Sequence, residues 1–163
     1  MSKIYLFISL FLMLQFNVVM NVVMADSNTQ VEALLKQEAE PFGVVFEIVE
    51  GDGDALQWAI PQVSLYAKKL RERFPGIGLA VVTHGREQFG LMKSEQTSNS
   101  KVHEQVQMLV SNDVPVHVCA THASWQGKDV DDFPDYVDVT PAGPTEIRNY
   151  EAMGYVLILV EQP

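Results

Sequence analysis

One cysteine in 163 residues excludes an intrachain disulfide, so packing and hydrogen bonds alone must hold the fold. Lysine and arginine are scarce, 11 against 21 aspartates and glutamates. Every acidic residue and 10 of the basic ones lie after residue 25, which gives that part a net charge of about −11. Such a surface repels nucleic acid and anionic lipid, because phosphate binding needs clustered Lys or Arg. The plainest use of the charge is solubility. There is no Gly-x-Ser-x-Gly elbow, which removes the usual support for a serine hydrolase. No internal repeat or low-complexity tract is present. Asp129, Asp131, Asp132, Asp135 and Asp138 lack the spacing of a calcium loop and read as solvated loop charges. Gly51 and Gly53 alternate with Asp52 and Asp54, whose charges would repel a phosphate, and Asp54 reads better as a helix N-cap.

The first 25 residues differ from the rest. Lys3 is their only charge, and the apolar run 4–24 is broken only by Ser9, Gln15, Asn17 and Asn21. Val23-Met24-Ala25 precedes Asp26 as an A-x-A-like cleavage site. A positive start, an apolar stretch and such a site describe a secretory signal peptide over residues 1–25. The competing reading is an uncleaved membrane anchor, since the run is nearly long enough to span a bilayer. A lipoprotein anchor lacks its cysteine, because Asp26 stands after the site. Removal leaves residues 26–163 as one domain of a size that buries a single core. The expected location is the periplasm or the exterior, with no membrane attachment after cleavage.

Strands and helices alternate through that domain. Val31, Leu34 and Leu35 mark a short helix stopped by Pro41. Residues 44–49 read as a strand, followed by a Gly-Asp turn. Leu56, Ala59, Ile60, Val63, Ala67, Leu70 and Phe74 fall on one helical face, with Pro61 either kinking that helix or starting it. The run 77–82 suits a strand buried on both faces. Val102, Val106, Leu109 and Val110 predict a helix closed by Asn112-Asp113. Strands are expected at 114–119, 136–139 and 155–160. Before the last lies a helix with Pro144 in its first turn, a stripe of Ile147, Tyr150 and Met153, and Gly154 just past its end. This order predicts a three-layer α/β/α sandwich around a five-stranded, mainly parallel sheet, flavodoxin-like in type.

Open α/β sheets gather reactive groups beyond the carboxyl ends of their strands. Three such ends carry Gly51-Asp52-Gly53-Asp54, Thr83-His84-Gly85 and Cys119-Ala120-Thr121-His122. Parallel strands bring Cys119, His122 and His84 to one edge, where Cys119 is the candidate nucleophile and either histidine its base or cationic partner. A small buried core residue is an equally weighted use of a lone cysteine. The Cys-x-x-His step with a second histidine also suits zinc or copper, but three ligands are too few for a closed structural zinc site. Neither a metal nor a cofactor is assigned. His117 shares the strand face of Cys119 by period two, and His103 sits beside Val102 and Val106; both read as packed or surface histidines.

The strand-ending Pro115-Val116-His117-Val118-Cys119, the loop 120–127 and the closing segment from Pro141-Ala142-Gly143-Pro144 to Gly154-Tyr155 resemble the DsrE/DsrF-like sulfur-relay family. The run 132–139 is similar to an exported branch of it. The resemblance covers about 44–160 and implies a flavodoxin-like layered fold. It also implies a cysteine that carries sulfur as a persulfide, here Cys119. Assembly into homo- or hetero-oligomers, often trimers or hexamers, and sulfur donor and acceptor proteins as partners follow from it too. Gln126 stands before Gly127 where members often carry Arg.

Overall fold

The computed structural model describes residues 26–162. The signal peptide and the alternative membrane anchor fall on residues 1–25, outside the described residues. Among the described residues no helix is long and apolar enough to cross a membrane.

The elements follow one another as α1 (Ser27–Leu35), β1 (Gly43–Ile48), α2 (Leu56–Arg73), β2 (Gly78–Thr83), a 3-10 segment (Arg86–Leu91), α3 (Ser100–Ser111), β3 (Val116–Cys119), α4 (Ala120–Trp125), β4 (Asp138–Thr140), α5 (Gly143–Ala152) and β5 (Tyr155–Leu159). All five strands are parallel, in the order β4-β3-β2-β1-β5. Alternation along β1 shows why a near-continuous apolar run is needed. Val44, Phe46 and Ile48 join the large core formed with α1, α2 and α3, while Val45 joins Ala80, Val82, Ile147 and Tyr150 beneath α5. Both faces are therefore covered, and the fold is a three-layer α/β/α sandwich of flavodoxin-like type.

Local chemistry moves several boundaries. β3 starts at Val116 because the Val114 N–H returns to the Leu109 carbonyl (3.0 Å) and Pro115 has no N–H to give. β4 starts two residues later than expected, since the Val137 N–H closes a turn on the Pro134 carbonyl (2.9 Å). α2 begins at Leu56, so Pro61 lies inside it, where its missing N–H leaves only the Gln57 carbonyl without its helical partner. Asp54 is not the cap of α2. Ala55 holds that position without a side-chain bond, and Asp52 instead accepts the Asp54 N–H (3.0 Å). Met153 is the C-cap of α5 and half exposed rather than part of its buried stripe, and Gly154 follows with φ +92°, the left-handed conformation that ends such helices.

The crossovers place the site. Ala123 of α4 packs into the core shared with α1, α2 and α3, whereas Ile147 and Tyr150 of α5 pack on the opposite face. The chain thus leaves β3 toward one face and the adjacent β4 toward the other. Neighbouring strand ends that diverge in this way open a crevice at the carboxyl edge of the sheet, the usual position for a ligand.

Candidate functional site

A pocket of about 490 Å³ occupies that crevice. It draws walls from four of the five carboxyl ends on this side: Val49 and Glu50 after β1, His84 to Arg86 after β2, Cys119, Thr121 and His122 at the end of β3, and Ala142 and Pro144 after β4. Exposed Trp125 completes an apolar rim. A second cavity, about 470 Å³, lies between α2 and α3 and is lined by Ala67, Met108 and Leu109 among others. It is lined by no cysteine or histidine, whereas Cys119, His84 and His122 all line the first.

Cys119 closes β3 and caps α4. It is 4 % exposed, and its Sγ accepts the His122 N–H at 3.4 Å, taking the part that a serine or aspartate oxygen plays at most helix starts. His122 Nδ1 lies 2.8 Å from the His84 carbonyl. A carbonyl can only accept, so Nδ1 carries the hydrogen and, in the neutral ring, Nε2 holds the lone pair. The ring is steadied by Phe89 (5.3 Å between centroids, edge-on) and Trp125 (5.8 Å). His84 Nε2 lies 2.7 Å from Glu47 Oε1, and its Cβ abuts Gly143 so closely that a Cβ built there would come within 2.6 Å. All three candidates therefore line one pocket, with His84 and His122 linked through the His84 backbone. Among the described residues no imidazole hydrogen-bonds to the Cys119 sulfur; the contact it receives from His122 is through the main chain.

Three polar residues that hydrogen-bond around the site escaped the sequence reading. Glu47 left a trace, as one acid inside an apolar strand. Glu87 and Gln88, in the 3-10 segment, left none and are fully buried. The Glu87 carboxylate accepts from Glu50 N (2.8 Å), Thr83 Oγ1 (2.5 Å) and Gly85 N (2.8 Å), tying the ends of β1 and β2 together. Gln88 Oε1 accepts the Cys119 N–H at 2.7 Å.

The remaining histidines are packed. His117 bonds to the Tyr150 hydroxyl (2.8 Å), and burial holds its pKa below the ordinary histidine value despite the Asp138 carboxylate 3.9 Å away. His103 bonds to the Tyr136 hydroxyl and is lowered by burial as well. Asp129 and Asp132 form a reciprocal cap on a short 3-10 turn, Val130–Asp132. Among the described residues, no group of three or more His, Cys, Asp or Glu side chains is placed to hold a metal ion.

The fold has a solved counterpart. A protein of unknown function from Methanobacterium thermoautotrophicum, MTH1491, is similar with a TM-score of 0.58 and 24 % identity, over 72 % of this chain and 98 % of that one. At this identity the likeness shows the fold alone. No protein-family profile and no curated protein matches the chain.

Proposed function

We propose that this domain is an exported sulfur carrier of the DsrE/DsrF-like kind, with Cys119 as the atom that holds the sulfur. The observation that carries the reading is the placement of the one thiol against a pocket at the diverging ends of β3 and β4, with a main-chain N–H already directed onto its sulfur. The step conserves atoms and oxidation state. The Cys119 sulfur attacks the terminal sulfur of a donor hydrodisulfide, R–S–SH; the new S–S bond forms as the donor's own breaks, and the departing R–S⁻ takes the proton released by the thiol. The product is Cys119–S–SH and R–SH, and reversal onto an acceptor thiol discharges it. His122, with its Nε2 lone pair, is the group in the pocket suited to relay that proton from the thiol to the leaving R–S⁻, and His84 holds the ring of His122 through its carbonyl. The proposal includes cleavage before Asp26, release to the periplasm or exterior, and assembly as a trimer or hexamer or with related subunits. Donor and acceptor proteins are the expected partners.

Intact mass of the purified native protein, before and after exposure to a small organic hydrodisulfide, tests this. One added sulfur that is removed by a thiol and absent from Cys119→Ser supports it. An unloadable wild type that folds normally overturns it. A second reading, a non-catalytic binding or assembly module, draws on the 4 % exposure of Cys119 and predicts that a thiol reagent leaves the native protein unlabelled.

A further inference from the structure

We infer that Gln88 is a positioning residue for Cys119: its buried side-chain amide accepts the Cys119 N–H at the carboxyl end of β3, and so fixes the direction of the thiol. The inference rests on the reading that Cys119 reacts. The last pair between β2 and β3 is Thr83 with Val118, so Cys119 lies one residue past that ladder although it still pairs with Thr140 of β4. Beyond Thr83 the chain turns into the 3-10 segment, so the Thr83 carbonyl is the last that β2 offers on that side. The Cys119 N–H is a buried donor at this end of the ladder. Gln88 Oε1 meets it at 2.7 Å. The amide orientation follows from chemistry, since an N–H needs an oxygen opposite it and not an NH₂.

The other end of the same amide is the second observation. Gln88 is fully buried, and its Nε2 has no hydrogen-bond partner among the described residues. A buried donor without a partner is unfavourable, so core packing alone would favour leucine at this position. What a glutamine offers and a leucine does not is an acceptor on the peptide of the reactive residue. That peptide plane sets the Cα–Cβ direction of Cys119, which in turn keeps Sγ both against the pocket and under the His122 N–H. Glu87, the preceding residue, anchors the 3-10 segment to the ends of β1 and β2, so the amide of Gln88 is presented from a fixed base.

The test compares Gln88→Leu, which removes the acceptor at similar volume, with Gln88→Glu, whose protonated form retains an acceptor of the same shape. Iodoacetamide labelling of Cys119 is followed by mass spectrometry across pH, beside thermal melting and hydrodisulfide loading. Because misplacing a reacting atom by ~1 Å can cost on the order of 100-fold at an assembled centre, Gln88→Leu is expected to slow labelling about tenfold, with Gln88→Glu within about twofold of wild type at mildly acidic pH. A Gln88→Leu protein labelled at the wild-type rate with the wild-type pH profile overturns the inference, as does a Gln88→Glu protein slowed as much as Gln88→Leu. Should Gln88→Leu not fold, the wild type still decides. A through-hydrogen-bond NMR coupling from the Cys119 amide nitrogen to the Gln88 side-chain carbonyl carbon is expected, and its absence, with a rapidly exchanging Cys119 amide, overturns the inference. Labelling reads position, whereas loading reads sulfur chemistry. Slowed labelling in a protein whose wild type never takes up sulfur would leave Gln88 in place and remove the carrier reading.

Discussion

Replacing Glu87 should cost more stability than any other single change to the polar framework around the pocket. Its carboxylate is fully buried and accepts three hydrogen bonds, two of them from main-chain N–H groups at Glu50 and Gly85. Bonds onto a charged acceptor contribute ~1.5–3 kcal/mol each, and a buried donor left unpaired costs ~1–3 kcal/mol. These terms are not additive, so Glu87→Ala is expected to lose about 4 kcal/mol, a large share of the ~5–15 kcal/mol typical of a domain. Glu87→Gln is the sharper probe because it keeps the volume. With its oxygen toward Thr83 and Gly85, its NH₂ faces the Glu50 N–H, donor against donor; turned the other way, it strands the Gly85 N–H. Either orientation loses one main-chain bond, and the expected cost is about 2 kcal/mol. Urea denaturation reads both values as shifts in midpoint at unchanged slope. A Glu87→Gln midpoint equal to wild type would refute the reasoning, since it would mean that these bonds contribute nothing net.

Other perturbations have equally definite outcomes. Burial keeps His117 and His103 below the ordinary value of 6.5, so the unfolded chain binds protons first; stability should hold above pH 6.5 and fall as the pH drops below it, with a shallower slope in His117→Gln by denaturation at a series of pH values. Tyr150 is pushed up to about 12, by burial first and Glu146 next, so its contribution is present below the free-tyrosine value of 10 and lost as pH rises toward 12. Ultraviolet titration should show one late tyrosinate step that Tyr150→Phe abolishes. Gly143→Ala sets a Cβ 2.6 Å from the His84 Cβ and should displace that ring from Glu47, slowing Cys119 labelling while the melting temperature falls modestly; unaltered labelling would separate His84 from the site. Gly85→Ala meets main-chain atoms of Glu50 at 2.4 and 2.5 Å, which no rotamer change relieves, and should destabilise strongly in thermal melts.

The layered fold was legible because its determinants are local. Strand-length apolar runs separated by helical stripes are readable residue by residue, and parallel strands follow from the alternation. Strand order was not, because it depends on which runs pair across the sheet. The pocket was legible to the same degree: parallel strands oblige Cys119, His84 and the start of α4 to share one edge. What lay outside reach was the polar framework beneath it. Glu87 and Gln88 sit in a stretch with the composition of a surface loop, yet both are buried. Their burial is compensated by partners 37 and 31 residues away, Glu50 and Cys119, and no periodicity encodes such pairings. The Asp54 cap failed because α2 starts at Leu56, one residue later than a cap at Asp54 requires, and the Asp54 N–H is taken up by Asp52 in the preceding turn.

The sulfur of Cys119 is also the acceptor that starts α4. Whatever is attached to it, whether a second sulfur or an alkyl group, changes the size and electron density of the atom that the His122 amide touches. Occupancy of the cysteine is therefore written into the main chain. Under the carrier proposal the His122 amide proton should shift and exchange differently with and without the added sulfur, at the start of a short helix that bears exposed Trp125 at its far end. Amide exchange at His122 thus reads the state of the thiol from the main chain, without any domain having to move.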